Sequence, residues 1–288
     1  MSSLSSFSHR LRPAHSLQLL GAHGILLAYT ALALFPIVLV LMNSFKTRRA
    51  IFKTPYALPN SETWSTIGYE TVFKRANFPD YFLNSLIVTV SALILILIAG
   101  TMAAWALAEY RFPGNNIMGL YLALGIMIPI RLGTVSILRL VVNIGLIDTL
   151  WALILVYTAS GLPLAIFVLT NFMRQVPRDL KDAARVDGAS EFGTLVRILL
   201  PLMKPALAVV ALFQFMGTWA DYLGPLIYIN SPQKMPLSYA LYLFQGAHGG
   251  EQGMLMAAST LVMLPVLLVF FFTQRYFIQG ITLTGLKG

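Results

Sequence analysis

Two groups of residues in this chain have the types and spacing to do chemistry. The first is Lys181-Asp182-Ala183-Ala184-Arg185-Val186-Asp187-Gly188-Ala189, running on to Pro201, a charged, small-residue stretch set between two long apolar runs. A charge at the bilayer centre costs about 2.5–3.5 kcal/mol or more. This stretch is therefore expected to leave the membrane as a compact helical hook that another protein can grip. The second group is Gln214, Thr218 and Asp221, spaced i, i+4, i+7 with Gly217 beside them in an otherwise apolar run. Hydrogen-bonding groups in such a row suit a hydroxyl-rich solute stripped of water, and equally suit a seam between packed helices. Tyr157, Ser160 and Gly161 near Pro163 suggest a break or kink in the preceding run, with polar groups exposed along it.

The hook reads as two short helices. Pro177 suits a first turn, where its missing N–H costs nothing. Leu180, Ala183 and Ala184 share a face by i, i+3, i+4 spacing. Asp187-Gly188 signals a turn with a positive φ. Ser190 is placed to cap the second helix, with Glu191 in its first turn. Phe192, Leu195, Val196 and Leu199 form a stripe that can lie against a bundle, and Pro201 is expected to close it. An amphipathic helix held only by lipid is the alternative, but four acids (Asp179, Asp182, Asp187, Glu191) disfavour anionic lipid there.

Elsewhere the chain is overwhelmingly apolar. Hydrophobic residues make up 57% and charged residues 11%, against roughly 25% charged in soluble domains, and the mean hydropathy is +0.75. Runs at 19–42, 82–108, 117–138, 149–173, 205–229 and 254–273 are long enough, or nearly so, to span a bilayer, which takes about 20 residues. The third is the weakest, because Arg131 and Arg139 interrupt it. The first far exceeds the roughly 7–15 residues of a signal core and is expected to remain as a span. The reading is an all-α integral membrane protein with a tail at 1–18, six spans within 19–273, a hook at 173–205 and a tail at 274–288.

The net charge of +9 is spread over every non-membrane segment, which fits topological work rather than nucleic-acid binding. It divides almost evenly between the two sides and leaves orientation open. Arg131 and Arg139 could attract an anionic solute or sit at an outer mouth. Cysteine is absent and the four histidines are scattered, so no metal set is expected.

The hook resembles the EAA loop of ABC-importer permeases, whose pattern is E-A-A-x-x-D-G-A followed by I-x-L-P. Asp182, Ala183, Ala184, Asp187, Gly188 and Ala189 match the first part, with aspartate for glutamate, and Ile198 through Pro201 match the second. The end of the chain from Gln274, together with Met127-Ile128-Pro129 and Gly145-Leu146-Ile147-Asp148-Thr149, is similar to carbohydrate-importer permeases of the maltose-transporter kind. The resemblance implies a type I ABC-importer architecture with a cytoplasmic coupling helix and both termini inside a bacterial or archaeal cytoplasmic membrane. It implies a second homologous permease, two ATPase subunits and a solute-binding protein as partners, and a sugar or oligosaccharide as solute. It also implies that Thr282, Thr284, Gly285 and Lys287 in the tail touch the ATPase, and that 231–253 faces outside toward the binding protein.

No G-x-x-x-x-G-K-[ST] occurs in the chain, so ATP and Mg would belong to the partner ATPase and the chain itself would be a transport subunit, not an enzyme. Tyr157, Ser160, Gln214, Thr218 and Asp221 are the candidate solute path. A secondary transporter driven by an ion gradient is the alternative; it would want buried ionisable relays or inverted repeats.

Overall fold

The structure is a computed structural model that describes residues 13–75, 77–247 and 252–285. Its helices are α1 (Pro13–Ser44), α2 (Arg48–Lys53), α3 (Ile67–Arg75), α4 (Phe78–Glu109), α5 (Asn115–Met127), α6 (Thr134–Asn143), α7 (Leu150–Gln175), α8 (Arg178–Val186), α9 (Glu191–Leu202), α10 (Lys204–Ala220), α11 (Leu223–Tyr228), α12 (Leu237–Ala247) and α13 (Gln252–Gly285). Four are long and apolar enough to cross a membrane: α1 from Leu19, α4, α7 and α13 as far as Tyr276. Counting two bent pairs as one span each brings the number to six. Thr282, Thr284 and Gly285 fall on the last turns of α13, and Lys287 lies outside the described residues.

The bends have local causes. Between α5 and α6 the chain turns by 85° at Ile128, which is extended (φ −83°, ψ 113°). Pro129 forces this, because a residue before proline is driven out of the helical region. The run at 117–138 is thus a broken helix rather than a straight one. The run at 205–229 also divides, since α10 stops at Ala220 and Asp221 is extended (φ −74°, ψ 121°) before α11 begins. By contrast α7 runs unbroken through Pro163, against the break expected there. Elsewhere on α7, Ser160 Oγ donates to Tyr157 O (3.0 Å) and Gln214 Nε2 to Gly161 O (3.2 Å).

The chain divides into two compact units, Met1–Glu70 with Glu251–Thr260 and Thr71–Gly250 with Leu261–Gly288. In the first, the excursion after α1 is organised round Lys46. Its ammonium is buried and donates to the carbonyls of Thr54 (2.9 Å) and Pro55 (3.1 Å), so burial lowers its pKa. Phe45 stacks on Trp64 with centroids 5.0 Å apart.

The second unit is built on the α4–α7 pair. Small residues bring the two helices together: a Cβ at Gly100 would lie 3.1 Å from that of Ala165. Ile96, Ala104, Leu169 and Met173 continue this core to Leu195 and Leu199 of α9 and to Ala206 and Val210 of α10. A second core gathers Val88, Val141, Leu153, Tyr228, Ile229 and Tyr239.

Asp148, in the loop before α7, ties that second core to the chain beyond α11. It adopts φ +59°, and its carboxylate accepts from the backbone N–H of Asn230 and Ser231 (both 2.9 Å), from Ser231 Oγ (2.5 Å) and from Lys234 Nζ (3.3 Å). Bonds from Ser231 above all hold its pKa far below the ordinary carboxylate range. A depressed folded pKa adds stability above the unfolded value, near 3.9, and loses it as pH falls through the folded one. Asp148→Asn should therefore lower the thermal midpoint of detergent-purified protein at neutral pH, with the gap closing as pH drops below about 4. Equal midpoints at pH 7 would remove Asp148 from this role.

Candidate functional site

The hook emerges from the end of α7 and doubles back on itself. Helix α8 ends at Asp187, and Gly188 takes φ +78°, a conformation glycine adopts without the Cβ penalty. Ser190 caps α9 by accepting from Gly193 N–H at 3.1 Å, and Arg185 ties the two helices through Glu191 (3.0 Å) and Asp182 (3.1 Å). Those two carboxylates, Glu191 first, hold the guanidinium pKa above its usual value.

Which face the hook buries differs from the expectation. Ala184 is buried, but Leu180 and Ala183 are exposed. Lys181 sets the rotation: its ammonium is buried and forms an ion pair with the partly buried Glu109 carboxylate at the end of α4. Leu180, Ala183 and Val186, the last 88% exposed, are left on the outer face with Phe192 of α9. In α9 the chain makes a π turn over Leu195–Leu199, so Leu195 and Leu199 are buried while Val196 is exposed. Pro201 does not close this helix, which runs on to Leu202; α10 then departs at 76°. Asp182 and Asp187 are exposed, and Ile198 is half-buried.

The candidate path residues meet in one cavity of about 230 Å³, walled by Tyr157, Ser160, Gln214, Gly217, Thr218 and Asp221 together with Thr134 and Tyr228. Trp219 faces away, stacked on Phe215 and donating to Val262 O (3.0 Å). Asp221 is not on the helical stripe; it sits where α10 has ended and reaches the cavity from the break. Its Oδ1 accepts from Arg131 (3.3 Å) and Leu223 N–H (3.3 Å), and its Oδ2 from Tyr157 Oη (2.9 Å) and Gly224 N–H (3.0 Å). Arg131 thus spends its charge on Asp221, while Arg139 is exposed on α6 and does not line the cavity. Hydroxyl and amide groups line the remaining polar wall.

Sequence reasoning missed the Lys181–Glu109 pair and the Asp148 clamp. Glu109, an acid at the end of a long apolar run, was a usable signal for the first. The chain from the end of α11 into α12 packs on this protein itself, burying Met235, Leu237, Tyr239 and Ala240. Tyr242 stays half exposed and stacks on Tyr222 with centroids 5.1 Å apart. No group of three or more His, Asp or Glu able to hold a metal is present among the described residues.

Spanning helices, a broken-helix polar cavity and a charged hook clamped to the bundle define a membrane transport subunit. Residues 93–283 match the binding-protein-dependent transport system inner membrane component family, and the chain belongs to it. It is 36% identical over 256 residues to the diacetylchitobiose uptake system permease protein of Streptomyces coelicolor, covering 88% of this chain and 84% of the relative. The arabinooligosaccharides transport system permease protein of Bacillus subtilis is 33% identical over 259 residues, 89% of this chain and 92% of the relative. The fold is that of a chain in the crystal structure of a bacterial ABC transporter involved in import of the acidic polysaccharide alginate, with a TM-score of 0.78 and 21% identity over 92% of this chain and 98% of that one.

Gly224 tests whether the Asp221 cluster matters. A Cβ there would lie 2.7 Å from Tyr157 Oη and 2.8 Å from Asp221 Oδ2, so Gly224→Ala must push these groups apart without removing either. Hydrogen bonds to charged groups contribute about 1.5–3 kcal/mol. The variant should insert normally, melt several degrees lower and transport more slowly; a wild-type midpoint and uptake rate would show the cluster to be dispensable.

Proposed function

We propose that this chain is one half of the translocation path of an ATP-driven importer of neutral or mixed oligosaccharides. The observation that carries the reading is that one chain joins a polar, hydroxyl-lined cavity to a hook clamped on the same helices. The cavity supplies Tyr157, Ser160, Gln214 and Thr218 as donors and acceptors, and the Tyr157 ring as a partner for a sugar's C–H surface. Oligosaccharide transport by the relatives supports the same solute class.

In this reading the hook lies in the cytoplasm, seated in a cleft of an ATPase subunit that holds ATP and Mg. Both termini are then cytoplasmic, in a bacterial or archaeal cytoplasmic membrane. The exposed face of Leu180, Ala183, Val186 and Phe192 is what the ATPase covers. A second permease completes the cavity, and the tail with Thr282, Thr284, Gly285 and Lys287 reaches the ATPase. On the opposite side, the solute-binding protein docks over the segment 231–253, where Tyr222 and Tyr242 present a paired aromatic surface. ATP-driven closure of the ATPases displaces the hooks and opens the cavity toward the binding protein, and hydrolysis resets it. An ion-gradient mechanism finds little to use here, because Arg131 and Asp221 beside the cavity already pair with each other.

Two measurements on the assembled transporter check this. Oligosaccharide-loaded binding protein should stimulate ATP hydrolysis and drive uptake, and failure of every saccharide class would refute the solute assignment. Gly188→Pro and Asp187→Lys should assemble and insert yet abolish uptake, since a side chain at Gly188 resists its positive φ. Wild-type import by both variants would refute coupling through the hook.

A further inference from the structure

We propose that this chain carries a built site for an anionic phospholipid at the hook end of the α4–α7 pair. Five cations meet there. Two are spoken for: Lys181 by Glu109, and Arg185 by Asp182 and Glu191. The other three are Arg111 in the α4–α5 loop, Arg174 in the last turn of α7 and Arg178 at the start of α8, and no carboxylate among the described residues pairs with them. Arg174 donates only to the carbonyl of Leu107, at 3.2 Å.

These guanidinium groups line two adjoining cavities of about 650 and 680 Å³, Arg111 and Arg174 in both and Arg178 in the second, where the paired carboxylates of Glu109 and Asp182 also lie. Arginine forks suit the oxygens of a phosphate or phosphodiester. A free phosphate would need nothing more. Here, however, the basic mouth adjoins at Arg174 a groove of about 220 Å³ between α5 and α7, lined by the polar side chains of Asn115, Asn116, Thr170 and Asn171 and by the apolar Leu122, Ile166 and Phe167. That groove runs along α5 and α7, which belong to candidate spanning segments. A basic mouth continuous with a groove that carries an apolar wall matches an amphipathic anion, and basic pockets of this kind beside membrane helices bind anionic head groups. The lipid would fasten the α4–α5 loop to the α7–α8 junction and so help set the angle of the hook. The site is independent of which solute the transporter carries.

The test uses the assembled transporter, exposed to equimolar phosphatidylglycerol and phosphatidylcholine and examined by native mass spectrometry. Wild-type protein should retain phosphatidylglycerol selectively. Each arginine near the head group is expected to contribute about fivefold, so Arg111→Gln with Arg178→Gln should weaken retention roughly thirtyfold, and Arg111→Lys with Arg178→Lys should preserve most of it. Gly119 lines the groove, and a Cβ there meets nothing within 4 Å. Gly119→Leu should therefore fold normally, fill the groove and expel the lipid while every arginine remains, which keeps the test decisive if the glutamine pair fails to assemble. Equal retention of the two lipids, unchanged retention in Gly119→Leu, or displacement by excess inorganic phosphate would overturn the proposal; the last would identify a site for a free anion.

Discussion

The Lys181–Glu109 ion pair is the contact on which the placing of the hook depends. Neither group can remain uncompensated at such burial, and removing one partner of a buried pair typically costs about 3–5 kcal/mol. The pair thus forces α8 into a single rotation, with its lysine inward against α4 and its apolar outer face free. Reinforcement comes from Leu195 and Leu199 of α9, which belong to the same core as Ile96 of α4 and Leu169 of α7. Hook and bundle are in consequence one packed body. Dense packing transmits displacement instead of absorbing it, which is the physical basis of the coupling proposed between hook and cavity.

At the far end of the same helices the constraint is backbone polarity. A helix that breaks inside a membrane exposes N–H and C=O groups, which are tolerated only where protein or a cavity meets them. Asp221 meets them at the break after α10, accepting from Leu223 and Gly224 while Tyr157 and Arg131 neutralise it. Asp148 does the same for the chain beyond α11. Two aspartates therefore perform locally what a continuous helix would have done by itself. The gain from breaking the helix is a recess lined by Ser160, Gln214 and Thr218, open to a polar solute.

Much of this was legible in the residues, for reasons that separate local from long-range effects. Asp187-Gly188 and Ser190 encode turn and cap within a few residues, and the structure realises both. Gln214, Gly217 and Thr218 share a stripe by helical period, and they share a cavity wall. Asp221 reached the same wall by a different route, since its helix had already ended. What stayed hidden needed partners distant in sequence. Nothing near Lys181 announces Glu109, and without that pair Leu180, Ala183 and Ala184 read as one buried face. Pro129 was the converse case, a strong local signal within a run that hydropathy alone presents as one span.

The central claim is that the hook moves as a rigid extension of α4 and α7. Because the chain has no cysteine, spin labels can be placed at the exposed Arg197 on α9 of the hook and at Ile98 on the exposed side of α4, with no background labelling from this chain. Pulsed electron paramagnetic resonance on the assembled transporter would then read their separation without nucleotide and in an ATP-trapped state. The account predicts one narrow distance distribution, the same in both states, in a complex whose ATPase remains stimulated. A shifted or second population on trapping ATP would contradict it, because the hook would then be swinging on the bundle instead of driving it.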